Sequence, residues 1–501
     1  MNSIKVFFGP DKRYQTVLCR IIFGVILIRL MTMGSYPLMD TTESRYAEIA
    51  REMAATDIWV TPQLNPGEPF WAKPPLSFWV TAFCFKIFGI NEFAARFSSF
   101  LFAFLSGWLL FILADKIYGR SFALFSAAVL STTGLFFVLA GSVMTDPALT
   151  FSVTLSLASF FLNVHERRHA AKRLWGYGFF AGLGLGLLAK GPIACVLVFI
   201  PVIGWSFFNK EWKYFTGLPW FTGTVLSLIV AVPWYLMAEN RTPGFLNYFF
   251  AGEHFKRFFV KDWSGDLYGK THPQAKGMIW IFSIPATLPW LVVFLSVVFS
   301  KFREAGYLKK LFLDRISSFF FLWLLAPLIV FTFSGNILLT YAMPALPAFA
   351  FLTSGLLKKS LEDFHSRPAP WFFAAKKIAA VTAFVPACFL VASFTFLPSL
   401  ADKESQRELI RAFQSLDITG RATLIYTRPM PFSAQFYGQQ RVLDIPEGSK
   451  NRILAELHDD NEDFFAIRKD DIDHFMADGS GLTYEAARFG SYILRREFRR
   501  Q

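Results

Sequence analysis

Charge and cysteine are what this sequence has least of. Only 17% of its 501 residues are charged, where a soluble domain carries about 25%, so a water-soluble globule is excluded. The four cysteines, Cys19, Cys84, Cys195 and Cys388, are scattered through apolar segments or their edges without a CxxC pair. They read as small buried hydrophobes, not as disulfides or metal ligands. No small-x-small cleavage site follows the first apolar stretch, so the expectation is an uncleaved first span. Residues 399–501 hold no glycine-rich phosphate loop, zinc spacing or nucleophile elbow, and no nucleotide site is visible.

What is present is apolar and aromatic. Hydrophobic residues make up 54% of the chain, with 61 Phe, 14 Trp and 15 Tyr, and the mean hydropathy is +0.39. Apolar runs of about 20 residues recur, the length that crosses a hydrocarbon core of about 30 Å. Spans are predicted at 17–34, 95–114, 121–140, 143–163, 174–189, 192–208, 218–237, 277–299, 316–334, 337–357 and 378–398. That is about eleven, at most about thirteen, in an all-α polytopic membrane protein. The net charge of +13 does not point to nucleic acid, because Lys and Arg cluster in short loops between spans. These include 1–16, His165 to Arg173, Lys301 to Arg315 and 358–377. The positive-inside rule then puts the N-terminus in the cytoplasm and, with an odd span count, the C-terminus outside.

The spans belong to a membrane domain, 1–398, with two long outer loops, 35–94 and 238–276. In the first, Tyr46, Ile49, Ala50 and Met53 share one face of a predicted helix over Glu43–Ala54. Pro74-Pro75 opens a second apolar stretch, too short to span and suited to the interface. After Pro398 the chain turns polar. Strand-like runs at Ala422–Thr427, Phe464–Arg468 and Ser491–Arg496 and helical patterns at Glu404–Phe413 and Lys450–His458 predict a small α/β domain over 399–501 on the outer face.

Ionisable residues gather near the outer ends of spans. Asp40 and Glu43 precede the first-loop helix; they suit its N-terminus, and a carboxylate there also suits proton abstraction from an attacking hydroxyl. Arg45, Glu48, Arg51 and Glu52 read as the solvated face. Lys73 lies between an aromatic pair and a rigid Pro-Pro step, so its ammonium is restricted; it suits a lipid phosphate or a snorkelling lysine. Glu253, His254 and Arg257 sit among aromatics in the second loop and suit phosphate or sugar contact. Asp146, Lys190 and Tyr341 are weaker candidates at span ends, where capping and snorkelling also account for the first two.

Taken in order, Glu43 to Met53, Lys73-Pro74-Pro75, Phe88 to Arg96, Asp146-Pro147, Lys190-Gly191, Pro233-Trp234, Tyr248 to Phe250 with Glu253-His254, Arg257-Phe258 and Pro289-Trp290 resemble the bacterial GT-C glycosyltransferases. The likeness is to the lipid A aminoarabinose transferase family, kin to the dolichyl-phosphate-mannose protein mannosyltransferases, and covers about residues 30–350. It implies an inner-membrane enzyme that moves a sugar from a polyprenyl (undecaprenyl) phosphate donor to lipid A or another lipid or glycan acceptor at the periplasmic face, with inversion. It implies Asp40 or Glu43 as base, Lys73, Arg257 and Arg45 at the donor phosphate, and Glu253, His254, Tyr341, Asp146 and Lys190 lining the site.

Three departures narrow what carries over. Thr42-Glu43 stands where the family commonly has Asp-Glu, with an Asp displaced to Asp40. Ala72 replaces the Glu before Lys-Pro-Pro, which removes a metal-ligand partner of His254, so no tightly bound zinc is expected. Asn336 replaces the Lys of a Gly-Lys pair, which leaves sugar and acceptor open. The remaining alternatives are a protein Ser/Thr acceptor, or a lipid or sugar transporter or flippase. A transporter would carry midplane charges and paired halves, whereas these charges lie at outer loops.

Overall fold

The computed structural model describes residues 12–260, 263–268, 272–302, 314–363, 371–418, 420–445, 463–479 and 483–498. The predicted helix at Lys450–His458 lies outside them, as do 1–11, 303–313 and 364–370 of the basic loops.

Helix α1 (Lys12–Thr32) opens the described chain. The first loop holds α2 (Thr42–Thr56), a short hairpin of β1 (Gln63–Asn65) and β2 (Glu68–Pro69), and α3 (Leu76–Phe88). Then come α4 (Glu92–Tyr118), α5 (Arg120–Ser131), α6 (Gly134–Leu139), α7 (Asp146–His165), α8 (His169–Lys190), α9 (Ile193–Phe208) and α10 (Trp220–Arg241). A π-helical segment, Asn247–Lys256, forms part of the second loop. Beyond it lie α11 (Met278–Thr287), α12 (Trp290–Phe302), α13 (Arg315–Thr332), a 3₁₀ turn at Leu339–Ala345 running into α14 (Leu346–Asp363), and α15 (Trp371–Phe394).

Among the described residues six helices are long and apolar enough to cross a membrane, and eight if each bent pair counts as one span. Apolar length in the sequence alone predicts about eleven. The difference lies in identifiable places. The stretch 121–140 is broken at Thr132-Thr133 into α5 and α6, whose threonine hydroxyls bond back to Ala128 and Val129 carbonyls, a habit that bends helices. Helix α9 has 16 residues, about 24 Å. Five glycines and a basic first turn keep α8 less apolar than its neighbours. The stretch 277–299 bends by 104° between α11 and α12, where Pro289 interrupts the helix.

At the centre stands α7, with 83% of its apolar window buried. Its closest neighbour is α8, and the approach depends on small residues. Gly178 faces Ser159 and Gly182 faces Ser156; a Cβ on Gly182 would lie 2.3 Å from the Ser156 Oγ. Glycines four residues apart let two backbones close in a bilayer, where no hydrophobic drive pulls helices together.

The first loop is fixed by one buried pair. Arg96, on α4 and fully buried, donates from Nε to Glu43 Oε1 at 2.9 Å and from Nη2 to Oε2 at 2.8 Å. It also donates to the carbonyls of Met33, Tyr36 and Pro37. Glu43 further accepts from the Val143 and Met39 amides. One guanidinium thus ties the exit of α1, the start of α2 and the approach to α7 to a single point. Burial would raise the Glu43 carboxyl, but the Arg96 charge and these bonds outweigh it and hold it below the usual carboxylate range.

The polar C-terminal region is a five-stranded sheet in the order β4-β3-β5-β7-β6, with β3 (Leu424–Tyr426), β4 (Val442–Asp444), β5 (Phe464–Arg468), β6 (Thr483–Phe489) and β7 (Tyr492–Glu497). β3 pairs in parallel with β4 and β5; β7 pairs antiparallel with β5 and β6. Helices α16 (Arg407–Leu416) and α17 (Phe432–Gly438) accompany it. It docks on the first loop: the Ser433 amide donates to Asp40 Oδ1 at 2.9 Å and the Ser433 hydroxyl to Oδ2, while the Tyr437 hydroxyl accepts from the Leu38 amide and donates to Glu92.

Removing one partner of a buried ion pair costs about 3–5 kcal/mol, so Arg96→Met should lower the melting temperature of the purified protein steeply. Glu43→Gln added to it should recover part of the loss. Because the folded Glu43 value is depressed, this stability is present above the unfolded carboxylate pKa and is lost as pH falls through the folded one. An unchanged melting temperature in Arg96→Met would show that the pair is not structural.

Candidate active site

Three segments distant in sequence converge on one cavity of about 470 Å³. The first carries Lys73, and aromatic packing positions its backbone. Phe70 is buried against Tyr46, Phe78 and Tyr268. The Tyr268 hydroxyl donates to the Pro69 carbonyl and accepts from the Trp71 amide, and Pro74-Pro75 stiffens the backbone on the other side of Lys73.

The second segment is the π-helical turn with Glu253, His254 and, just beyond it, Arg257. Lys73 Nζ donates to Glu253 Oε2 at 3.1 Å, and Arg257 Nη1 donates to Oε1 and Oε2 at 2.8 and 3.0 Å. Arg257 also pairs with Asp266 at 3.4 Å. The buried Glu253 would be raised by its surroundings, but these two cations overcome that and keep it ionised below the usual range. The same carboxylates hold Arg257 above its ordinary value against the cost of burial.

The third segment joins span ends. At the C-terminus of α8, Lys190 donates to Asp146 Oδ1 at 2.7 Å, at the N-terminus of α7, and its ammonium stands 4.4 Å from the Tyr341 ring centroid. Asn336 also lines the cavity; its Nδ2 donates to the Arg257 carbonyl at 2.6 Å, while its buried Oδ1 has no partner. Beyond this polar end the walls are apolar, with Ile193, Val196, Phe258, Phe259 and Val330 among them.

The cavity therefore gathers Lys73, Lys190, Glu253, His254, Arg257 and Tyr341, with Asp146 behind Lys190. Asp40, Glu43 and Arg45 do not line it. Glu43 is committed to Arg96. Asp40 faces the C-terminal sheet region through Ser433, and burial pushes its carboxyl up to about 6 against the Ser433 hydrogen bonds. Arg45 donates to the Tyr268 carbonyl and so supports the loop that frames Lys73. Two contributors escape the sequence. Arg96 lies inside one of the ordered motifs without a role of its own there, though a lone Arg in an apolar run is a signal. Asn336 reads in sequence as a loss of Lys, and its anchoring of the Arg257 backbone has no sequence signal.

The donor set does not fit a divalent metal. Both ring nitrogens of His254 face backbone carbonyls, Nδ1 that of Phe249 at 2.8 Å and Nε2 that of Lys190 at 2.9 Å; the neutral ring donates to one of them, and neither nitrogen is open to a ligand. Ala72 offers no side-chain donor, and Glu253 is taken by two cations. Among the described residues no group of three His, Cys, Asp or Glu side chains converges. Burial keeps the His254 imidazole below its ordinary value.

The cavity thus has cations at one end and apolar walls beyond, and the two long loops frame it on an α-helical bundle. The fold matches that of ArnT from Cupriavidus metallidurans bound to undecaprenyl phosphate, with a TM-score of 0.78 and 19% identity over 96% of this chain and 98% of that one. Residues 17–249 match the family model for dolichyl-phosphate-mannose-protein mannosyltransferase. In sequence the chain is similar to undecaprenyl phosphate-alpha-4-amino-4-deoxy-L-arabinose arabinosyl transferase 1 of Pseudomonas fluorescens, 30% identical over 69% of this chain and 58% of that protein. It is likewise similar to the enzyme of that activity from Yersinia enterocolitica, 30% identical over 68% of this chain and 59% of its relative. The chain is thus similar to these transferases, and it spans about 60% of the length of the curated relatives it matches.

Chelation offers a direct check on the donor set. Dialysis of the purified protein against EDTA should leave its melting temperature and metal content unchanged; a drop of several degrees restored by zinc would overturn the assignment.

Proposed function

We propose that this chain is an integral membrane glycosyltransferase that moves a sugar from a polyprenyl phosphate donor to lipid A or another envelope acceptor at the periplasmic face of the bacterial inner membrane. The observation that carries the reading is the convergence of Lys73 and Arg257 at the polar end of an otherwise apolar cavity. A polyprenyl phosphate has the same division, a charged head on a hydrocarbon chain. The names of the relatives, which specify undecaprenyl phosphate, support the donor class.

In this reading the bond between sugar C1 and the phosphate oxygen breaks while the acceptor oxygen attacks C1 from the opposite face, with inversion. The leaving phosphate takes the bonding pair, and Lys73 and Arg257 stabilise the charge it gains, worth far more in a dry cavity than in water. Both cations already have fixed positions through Glu253, so little reorganisation accompanies the step. Arg45 holds the loop behind Lys73. The unpartnered Oδ1 of Asn336 accepts from a sugar hydroxyl or amine, and Tyr341 and Lys190 line the cavity as well, with Asp146 behind Lys190. The acceptor proton goes to a first-loop carboxylate. Asp40 takes that role in preference to Glu43, because a group pushed up to about 6 exchanges protons near neutrality, whereas Glu43 is locked to Arg96. Asp146, paired with Lys190 beside the cavity, is the second candidate.

We place the N-terminus in the cytoplasm and residues 399–501 in the periplasm as a separate domain. Counting α5 with α6, α8 and α9 as further crossings restores about eleven spans.

Transfer of labelled sugar from polyprenyl phosphate to extracted envelope lipids tests the reaction, and no transfer from any such donor would sink it. Lys73→Ala should weaken donor use about 10- to 100-fold, the scale of one lost charge-assisted contact, in protein that still folds because Arg257 remains paired with Glu253. Asp40 works as a base when deprotonated, so turnover should fall below about pH 6 along a one-proton limb. Asp40→Asn should lower turnover by about 10²-fold or more and remove that limb. If Asp146→Asn removes it instead, the base is Asp146.

A further inference from the structure

The C-terminal sheet region meets the first loop through α17, and the joint is wider than one hydrogen bond. The Arg45 guanidinium stands over the Phe432 ring at 5.8 Å, and Gln435 Nε2 donates to Asn65 Oδ1 at 2.8 Å. Phe436 is buried against Phe85, with ring centroids 5.9 Å apart. Ser433 holds both oxygens of Asp40, and Tyr437 holds the Leu38 amide and Glu92. The Asp40 amide donates in turn to the Glu404 carbonyl at 2.8 Å. These partners run from Leu38 to Glu92, nearly the length of the first loop. They include the hairpin that leads to Lys73 and the Arg45 that backs it.

Two first-loop carboxylates lie in the joint, and they are treated differently. Glu92 pairs with Arg407 of α16, which Asp402 also holds. Asp40, partly buried, pairs with no cation among the described residues; Arg45 is directed to the Tyr268 carbonyl and to the rings of Tyr46, Phe70 and Phe432. Asp40 is faced by the Ser433 amide and hydroxyl from α17, Ser44 from α2, and Glu404 from the linker before α16. From the sheet it is faced by Tyr426 on β3 and Tyr492 on β7. Arg428 and Asp471, which act on the same Tyr492, pair with each other. Glu43 and Glu253 supply the contrast, since cations hold each of them ionised. Around Asp40 the donors are neutral, and the charge of Glu404 repels it.

A carboxylate taken out of water without a cation favours its neutral form, so an ionised Asp40 works against the contact that holds it. We infer that Asp40 makes this joint a proton-operated latch: proton uptake tightens the docking of α17 on the first loop, and proton loss loosens it. Burial places the docked carboxyl at about 6, above its ordinary value. Its contribution to docking is therefore complete below the ordinary carboxylate range and is lost as pH rises through about 6. The Ser433 hydroxyl fits both states, because it donates to a carboxylate and accepts from a carboxylic acid. Glu92 has the opposite sense, since its pair with Arg407 weakens when it takes a proton, so tightening in acid cannot come from that pair. The contact of Phe436 with Phe85 does not titrate, which makes the latch graded. It concerns docking alone and does not need Asp40 to act as a base.

Hydrogen exchange of the full chain in detergent tests the latch, read by mass spectrometry on peptides covering 38–45 and 432–438. Labelling times are scaled for the pH dependence of free-amide exchange. Between about pH 7.5 and about pH 5, wild type should gain about tenfold or more in protection in both segments, while β5 and β7 stay unchanged. Asp40→Asn, neutral at every pH, should show no such change and keep high protection at about pH 7.5. Ser433→Ala loses a hydrogen bond that favours the ionised carboxyl, so its transition should move above about pH 6; it carries the test if Asp40→Asn fails to fold. Wild-type protection that is flat or falls in acid, a pH dependence that persists in Asp40→Asn, or an unmoved transition in Ser433→Ala would each overturn the latch. If protection becomes flat in Asp40→Asn while the acid limb of turnover survives there, Asp40 is not the base and the latch stands.

Discussion

The Glu43–Arg96 pair is the constraint on which the outer half of this protein depends. Arg96 is fully buried and makes five hydrogen bonds, two to Glu43 and one each to the carbonyls of Met33, Tyr36 and Pro37. Three carbonyls that leave a helix end without partners would be expensive to bury, and one cation satisfies them together. Glu43 then neutralises that cation and takes two amides of its own, from Met39 and Val143. The first loop can therefore turn sharply at the bilayer surface while its backbone stays paired. Packing of Tyr46 and Phe70 next to this anchor carries the order forward to Lys73.

The candidate site uses that rigidity through a second carboxylate. Glu253 receives Lys73 from the first loop and Arg257 from the second, so it joins two loops that no helix connects directly. Asn336 extends the joint by binding the Arg257 backbone. A sugar–phosphate donor in the proposed reaction meets cations whose directions are already set. The docking of the C-terminal sheet on Asp40 and Glu92 works from the other side of the same loop. The first loop is accordingly held between the membrane helices and the polar domain.

How far the sequence foretells this depends on what kind of force each feature uses. Apolar length is local, so α1, α4, α7 and α10 lie close to the predicted spans. Breaks such as Thr132-Thr133 and the bend at Pro289 depend on neighbours, and a hydropathy window averages over them. Lys73, Glu253 and Arg257 are legible because charges among aromatics near a bilayer are rare. Their convergence on one carboxylate is not, because 180 residues separate Lys73 from Glu253. Glu43 and Asp40 look equivalent in sequence. Partners distinguish them: a guanidinium holds one carboxyl down, and burial beside a serine lifts the other. Arg29 carries no signal beyond being a lone cation near a span end, where snorkelling is the ordinary outcome.

The cations of the candidate site are set in a way that suits turnover in the proposed reaction. Lys73, Arg257 and Lys190 each rest on a carboxylate when the cavity holds no phosphate. An incoming phosphate exchanges with interactions already made, so the net gain is modest, and the product phosphate can depart at a similarly modest cost. The proposed reaction, which releases its lipid phosphate every cycle, needs that balance. Arg29 differs in kind: it is 2% exposed and packed against Gly141, Phe137 and Phe389, so its cost is met by backbone and ring contacts inside the bundle and not by a ligand.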